Sequence, residues 1–496
     1  MSVQFARRSE LQESSDSYNL QLLAQPLRLP TTGLKVKNRF FKASLSEQQA
    51  TFTPNQLHNH GVPYQSLINL YQKWGHGGFG MILTGNVIID DRHLEAAGNV
   101  IVSKETESKE KRAKLVELSN AMKSDGALAI VQLGHAGRQT PVTINPTPYS
   151  STALGCRIVR TAYGKPKPLT IQEIQTEVVD RFVYAAKELQ AAGFDGIELH
   201  GAHGYLLTQF LSAKINDRTD EYGGSVQNRV RIVEEIYRAI RLVQAIRILN
   251  RLFRKELPPE SKFVIGIKMN SADAEMGKLD DVQFLARRFE EIGFDFIELS
   301  GGSYENFQLI HKKETTKRRE AFFIECSSAV KPVLTKTVLY LTGGFRTVPA
   351  MAKAIERKEV DGIGIARPAA AEPDFPKKIL EGRVKSAVYN HFDQDFGNGM
   401  ILAQTQMRQL GATKWTQSFD DPCYGVTDFS NDKEAQNFRY GLSWHLISSM
   451  KSEFFSKVPF DKPFNYNPKR KYDTWFARFF MAIMAVMAHR SGFKSD

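Results

Sequence analysis

His200, His203 and Tyr205 follow one another closely in Gly193-Phe-Asp-Gly-Ile-Glu-Leu-His-Gly-Ala-His-Gly-Tyr205. Two imidazoles and a phenol so close in sequence can converge on one bound molecule, and a phenol protonated at neutral pH is a competent proton donor. His-x-x-His on a helix can also hold zinc. That arrangement needs a third ligand and, in hydrolases, an adjacent glutamate, and neither is evident here. A second chemical signal lies further along. Leu341-Thr-Gly343-Gly344-Phe-Arg346 is a glycine turn followed by a cation, and Gly362-Ile-Gly-Ile-Ala366-Arg367 ends in another cation. Glycines let backbone N–H groups approach an anion, so the two stretches together suit a phosphate.

These residues need elements to hold them. Phe194–Leu199 reads as a short buried strand, which places the histidines at its carboxyl end, where α/β folds carry their chemistry. Short apolar strands alternate with amphipathic helical segments from about 34 to 384. The strand candidates are Arg39–Ala43, Met81–Thr84, Ala127–Leu133, Gly196–His200, Phe263–Met269, Phe296–Ser300, Val338–Thr342 and Gly362–Ala366. Eight strand–helix units predict an α/β fold with a closed parallel barrel, (β/α)8, rather than an open sheet. The glycine turn and Arg367 then follow the last two strands, where barrels often bind phosphate. We expect an N-terminal arm at 1–33, the barrel at 34–385 and a C-terminal extension at 386–496. The extension is rich in aromatics, short on strand or helix signals, and expected to wrap the barrel or make a subunit contact.

The histidine stretch runs on into Asn216-Asp-Arg-Thr-Asp220-Glu-Tyr-Gly-Gly224-Ser-Val-Gln-Asn-Arg229. Together they resemble the Old Yellow Enzyme family of flavin-dependent reductases. The resemblance implies the same barrel, bound FMN, and NADH or NADPH as hydride donor. It implies contacts to FMN from Ala43, Ser44 and Ser46 after the first strand, from Gly85 beside the ring, and from Gln132 at the pyrimidine edge. Lys268 stands where the family usually carries an arginine near N1 and O2. Lysine keeps the charge but loses the bidentate fork. Gly343, Gly344, Ala366 and Arg367 would hold the phosphate end. In the resembling enzymes, the positions of His200 and His203 hydrogen-bond the carbonyl oxygen of an α,β-unsaturated substrate, and that of Tyr205 protonates its α-carbon. A neighbouring water is the alternative proton source. The implied activity is reduction of an enone or enal C=C bond. The other readings are an NAD(P)H oxidase or quinone reductase, and a non-catalytic barrel acting as an interaction module.

Composition excludes several classes. The apolar share of 42% and charged share of 24% are those of a globular protein. A net charge of +12 is spread among acidic residues and accompanies no nucleic-acid motif. The three cysteines, Cys156, Cys326 and Cys423, form no Cys-x-x-Cys pair, which argues against an iron–sulfur cluster or a zinc site and leaves no metal expected. The polar, mixed-charge N-terminus does not read as a secretory signal, so a cytoplasmic setting is expected. The apolar stretch 475–488 beside Lys469-Arg-Lys471 is too short to span a bilayer. It suits a peripheral membrane contact, or burial against the barrel or in a homo-oligomer interface.

Overall fold

The computed structural model describes residues 5–10, 18–53, 60–156, 163–253, 262–273, 276–302, 323–393, 395–418, 420–456 and 464–472. Eight parallel strands close into a barrel: β1 (Phe40–Lys42), β2 (Met81–Leu83), β3 (Leu128–Gly134), β4 (Gly196–Gly201), β5 (Val264–Asn270), β6 (Phe296–Ser300), β7 (Val338–Thr342) and β8 (Gly362–Ile365). Neighbours pair in sequence order, and β8 pairs with β1 through Ile363↔Phe40 and Ile365↔Lys42, which closes the ring. All eight strands fall where the sequence predicts them.

The strands are buried on both faces, which explains their near-continuous apolar runs. The period of two divides each strand. Outward residues such as Phe40, Ile82, Val131, Ile197, Ile267 and Leu339 pack under the helices. Inward residues fill the barrel in layers, with Phe41, Met81, Ile130, Val264, Phe296 and Tyr340 in one cluster. Above that cluster the inward positions turn polar. Gln132 pairs in register with Glu198, His200 with Lys268, and Lys268 with Glu298. Apolar packing thus occupies the floor of the barrel and polar chemistry its mouth.

The outer helices run α1 (Gln65–Gly75), α2 (Lys109–Met122), α3 (Asp180–Ala191), α4 (Leu206–Leu211), α5 (Arg231–Phe253), α6 (Leu279–Ile292), α7 (Ile324–Val330) and α8 (Val348–Glu356). Helix α6 buries Val282, Leu285, Ala286 and Phe289, a helical stripe facing the sheet. It ends where Gly293 adopts φ +103, a left-handed C-terminal turn that glycine takes without steric cost.

The described part of the extension departs from expectation, because it is strongly helical. Helix α11 (Phe396–Gly411) and helix α12 (Asp432–Ser456) follow two short helices, α9 (Arg367–Ala371) and α10 (Phe375–Leu380). Helix α11 lies against α1: Asn69 Nδ2 donates to Gly411 O at 3.1 Å, and Lys73 Nζ to Thr413 Oγ1 at 2.6 Å. A separate aromatic cluster of Phe392, Phe429, Phe438, Phe464, Tyr466 and Tyr472 holds α12 to its surroundings. Residues 5–10 join this layer rather than the barrel wall. Arg8 makes two hydrogen bonds to the buried Glu372, at 3.0 and 2.8 Å. The apolar stretch 475–488 lies outside the described residues. No helix among those described is long and apolar enough to cross a membrane.

Candidate active site

A cavity of about 560 Å³ opens at the carboxyl ends of the strands, within the range of cofactor and small-molecule sites. Its wall gathers His200, His203, Tyr205, Ser44, Ser46, Gln132, Lys268, Gly343, Gly344, Ala366 and Arg367 from six of the eight strand ends or the loops after them. Two expected contacts do not line it. Ala43 is buried in the apolar layer beneath. Gly85 is packed behind the wall, its N–H donating to Glu47 Oε1 at 2.8 Å and to the Tyr71 hydroxyl at 3.0 Å. A Cβ on Gly85 would collide with the Leu45 carbonyl oxygen as well as the Glu47 carboxylate, so glycine is required there for close packing.

The three rings predicted to act together do converge. His200 and His203 have ring centroids 5.2 Å apart at 80°, and His200 and Tyr205 stand 4.8 Å apart at 74°. Backbone geometry fixes the first histidine's tautomer. Ala202 N donates to His200 Nδ1 at 3.3 Å, so the ring proton sits on Nε2. His203 is held in the left-handed region at φ +61, an uncommon conformation for a residue with a side chain. Its N–H donates to Asn270 Oδ1 at 2.9 Å, and its Nε2 lies 3.0 Å from Ser300 Oγ. A hydroxyl donating there leaves the Nδ1–H for a ligand. Burial pushes both histidines well below the usual imidazole range, and the nearby Lys268 ammonium adds to the effect. Both are therefore neutral hydrogen-bond donors at pH 7.

Beneath the rings lies a charged network that the sequence reading missed. Gln132 Nε2 donates to Glu198 Oε1 at 2.7 Å, and Lys268 Nζ donates to Glu298 Oε1 at 3.0 Å. Burial first, then the Glu298 charge, raises Glu198 well above the usual carboxylate range. The two carboxyls also meet in a side-chain hydrogen bond, for which the raised Glu198 supplies the proton. The signal was present: Gly196-Ile-Glu198-Leu-His200 and Phe296-Ile-Glu298-Leu-Ser300 each set a carboxylate at an inward position of an apolar strand.

At the far end, Gly343 and Gly344 take φ values of +125 and +97, which only glycine adopts freely. Arg346 and Arg367 flank them. Asp393, from the extension, takes Arg346 in a two-point ion pair at 2.9 and 2.7 Å. Burial and the neighbouring Arg346 lower Arg367 to about 10. A glycine turn with two guanidiniums suits a phosphate, while Gln132 and Lys268 offer an amide and a cation to a heterocycle's polar edge. The cavity thus fits FMN. Helix α11 closes one side with Gly397, Met400, Ile401 and Gln404. Glu95 and Asn86, on the loop after β2, complete the wall near Tyr205.

Among the described residues, one group brings possible metal ligands within 4.8 Å of one another: Asp90, His93 and His135. Tyr149 N donates to His93 Nε2 at 2.8 Å, and Gly137 N donates to His135 Nδ1 at 3.0 Å. Each ring then carries its proton on the nitrogen facing Asp90, where a metal would need a lone pair. Arg92 already neutralises Asp90 through contacts at 3.0 and 2.7 Å. The group is a compensated ion cluster supporting the loop.

Residues 23–386 match the model of the NADH:flavin oxidoreductase / NADH oxidase family. The chain is 38% identical, over 78% of its length and 85% of the relative's, to the NADH-dependent flavin oxidoreductase nadA of Aspergillus parasiticus. It is 33% identical, over 66% of its length and 47% of the relative's, to an NADH oxidase of Thermoanaerobacter brockii. Among solved structures, morphinone reductase in complex with tetrahydroNAD superposes with a TM-score of 0.57 at 21% identity, covering 74% of this chain and 92% of that one. The Old Yellow Enzyme homologue from Zymomonas mobilis gives the same TM-score and identity, over 74% and 94%. Barrel, cavity and sequence match agree, and the chain belongs to the NADH:flavin oxidoreductase family.

Proposed function

We propose that this protein is an FMN-dependent ene-reductase, taking hydride from NADH or NADPH and reducing the C=C bond of an α,β-unsaturated carbonyl compound. The observation that carries the reading is the convergence of two neutral histidines and a tyrosine on the cavity wall, with Gln132 and Lys268 lining the same space. FMN, when bound, supplies the hydride chemistry, accepting a hydride from the nicotinamide and passing one to the alkene. Arg346, Arg367, Gly343 and Gly344 would hold its phosphate, and Gln132 and Lys268 the polar edge of its ring. His200 Nε2–H and His203 donate to the substrate carbonyl oxygen. Two donors aimed at developing negative charge stabilise the transition state more than the ground state. Tyr205 gives its proton to the α-carbon. Ser46 and Ala43 act through the segment after β1, and Gly85 by letting that segment pack closely.

The test is optical. The purified protein should be yellow, bleach on adding NADH or NADPH, and recover colour with 2-cyclohexenone in the absence of oxygen. The NADH oxidase relative favours a second reading, in which only oxygen or a quinone restores the colour. Protein that stays colourless after incubation with FMN would contradict both, leaving a barrel that serves as an interaction module.

A further inference from the structure

We propose that Glu95 is a proton-relay residue, holding the proton that replaces the one Tyr205 gives to substrate. The inference rests on the ene-reductase reading. Glu95 stands on the loop between β2 and α2 and faces the cavity together with Tyr205, Ser46 and Asn86. Its carboxyl group is hydrogen-bonded by all three: Asn86 Nδ2 donates to Oε2, and Ser46 and Tyr205 engage it through their hydroxyls. The contact with Tyr205 is what makes a relay. A tyrosine giving its proton inside a largely apolar cavity becomes a phenolate, and an isolated buried charge is costly. The Tyr205 hydroxyl donates to the Glu95 carboxyl at rest, and a proton held on that carboxyl removes the cost by passing to the phenol oxygen as the phenol's own proton leaves.

Burial raises Glu95 above the usual carboxylate range, with the nearby Glu47 charge acting in the same direction, while the hydrogen bonds oppose it. Glu95 is only partly buried and borders the cavity, so water can reload it between turnovers. The hydride forms the new C–H bond at the β-carbon, and the π pair moves toward the α-carbon and carbonyl oxygen. The Tyr205 O–H bond breaks as the α-carbon gains a proton, the Glu95 O–H bond breaks as the Tyr205 oxygen regains one, and Glu95 takes a proton from water. One hydride from NAD(P)H and one solvent proton are consumed for each alkene reduced. Glu95 acts through Tyr205 and is therefore a positioning residue.

The test uses the FMN-loaded full chain, with the reductive and oxidative half-reactions followed separately by flavin absorbance. Glu95→Gln keeps a hydrogen-bonding group of the same shape but has no acidic proton. It should lower the ratio of the oxidative rate with 2-cyclohexenone to the reductive rate with NADH by at least tenfold, at the low end of general acid effects. In a Tyr205→Phe background the same change should leave the ratio where Tyr205→Phe alone puts it. An equal loss in both backgrounds would show that Glu95 only shapes the cavity, and would overturn the relay. An independent readout needs no turnover. Infrared spectra of the oxidised holoenzyme in neutral D2O should contain a carboxylic acid C=O band that Glu95→Gln removes and Tyr205→Phe shifts. If wild-type enzyme ignores the enone but the band is present, the ene-reductase reading fails while the hydrogen-bonded acid stands; if no such band exists, the relay fails.

Discussion

Removing the His200 imidazole isolates one of the two hydrogen bonds assigned to the substrate oxygen. Phenols offer a stable probe, since a phenolate oxygen can take the place of the developing enolate. Ala202 N occupies Nδ1, so the Nε2–H is the single donor His200 can offer. A hydrogen bond to a charged acceptor contributes about 1.5–3 kcal/mol. At about 1.4 kcal/mol per tenfold, His200→Ala should raise the dissociation constant of a simple phenol by roughly 10- to 150-fold. His203 stays in place, because its backbone is fixed by Asn270 and its ring by Ser300. His200→Asn, which returns an N–H donor, should recover part of the loss. The assay is a titration of the FMN-loaded protein followed by the flavin spectrum. Affinity within twofold of wild type in His200→Ala would refute the assignment of a donor role, whatever happens to turnover.

Acid should destabilise the fold earlier than carboxylate titration alone would. Burial lowers His135, His200 and His203 well below the ordinary value of 6.5. The unfolded chain then binds more protons than the native one below pH 6.5, so their contribution is complete above 6.5 and falls as pH drops. Each contributes about 1.4 kcal/mol per pH unit while it stays neutral in the fold, so thermal unfolding should shift downward between pH 6.5 and 5; a midpoint constant over that window would contradict neutral burial. Arg367→Gln should weaken FMN retention by roughly tenfold or more by removing a charge-assisted phosphate contact, read by flavin released on gel filtration; unchanged flavin occupancy would move the phosphate elsewhere. Truncation after residue 386, where the family match ends, should give an insoluble or markedly less stable protein. It strips α11 from α1 and leaves Asn69 and Lys73 without Gly411 and Thr413, so a soluble truncated chain with wild-type melting would refute an integral extension.

The amino-acid sequence by itself determined the barrel and its chemical end. Strands buried on both faces must be apolar throughout, so Leu128–Gly134 or Val264–Asn270 announce themselves without tertiary information. His200, Lys268 and Arg367 are legible for a related reason: a polar group ending such a run is costly to bury and needs a purpose. Glu198 and Glu298 carry the same signal in mid-strand. The extension was not legible, since α11 and α12 draw their stability from packing on α1 and on one another rather than from a simple apolar stripe. Glu95 lies in a loop with no periodicity. Its meeting with Tyr205 joins segments from two different strand ends, and only the pairing of β2 and β4 on either side of β3 brings them to one wall. Tertiary structure likewise decided that Gly85 serves packing and that Asp90, His93 and His135 form a compensated cluster. Each depends on which atoms approach from distant parts of the chain, and no local pattern encodes that.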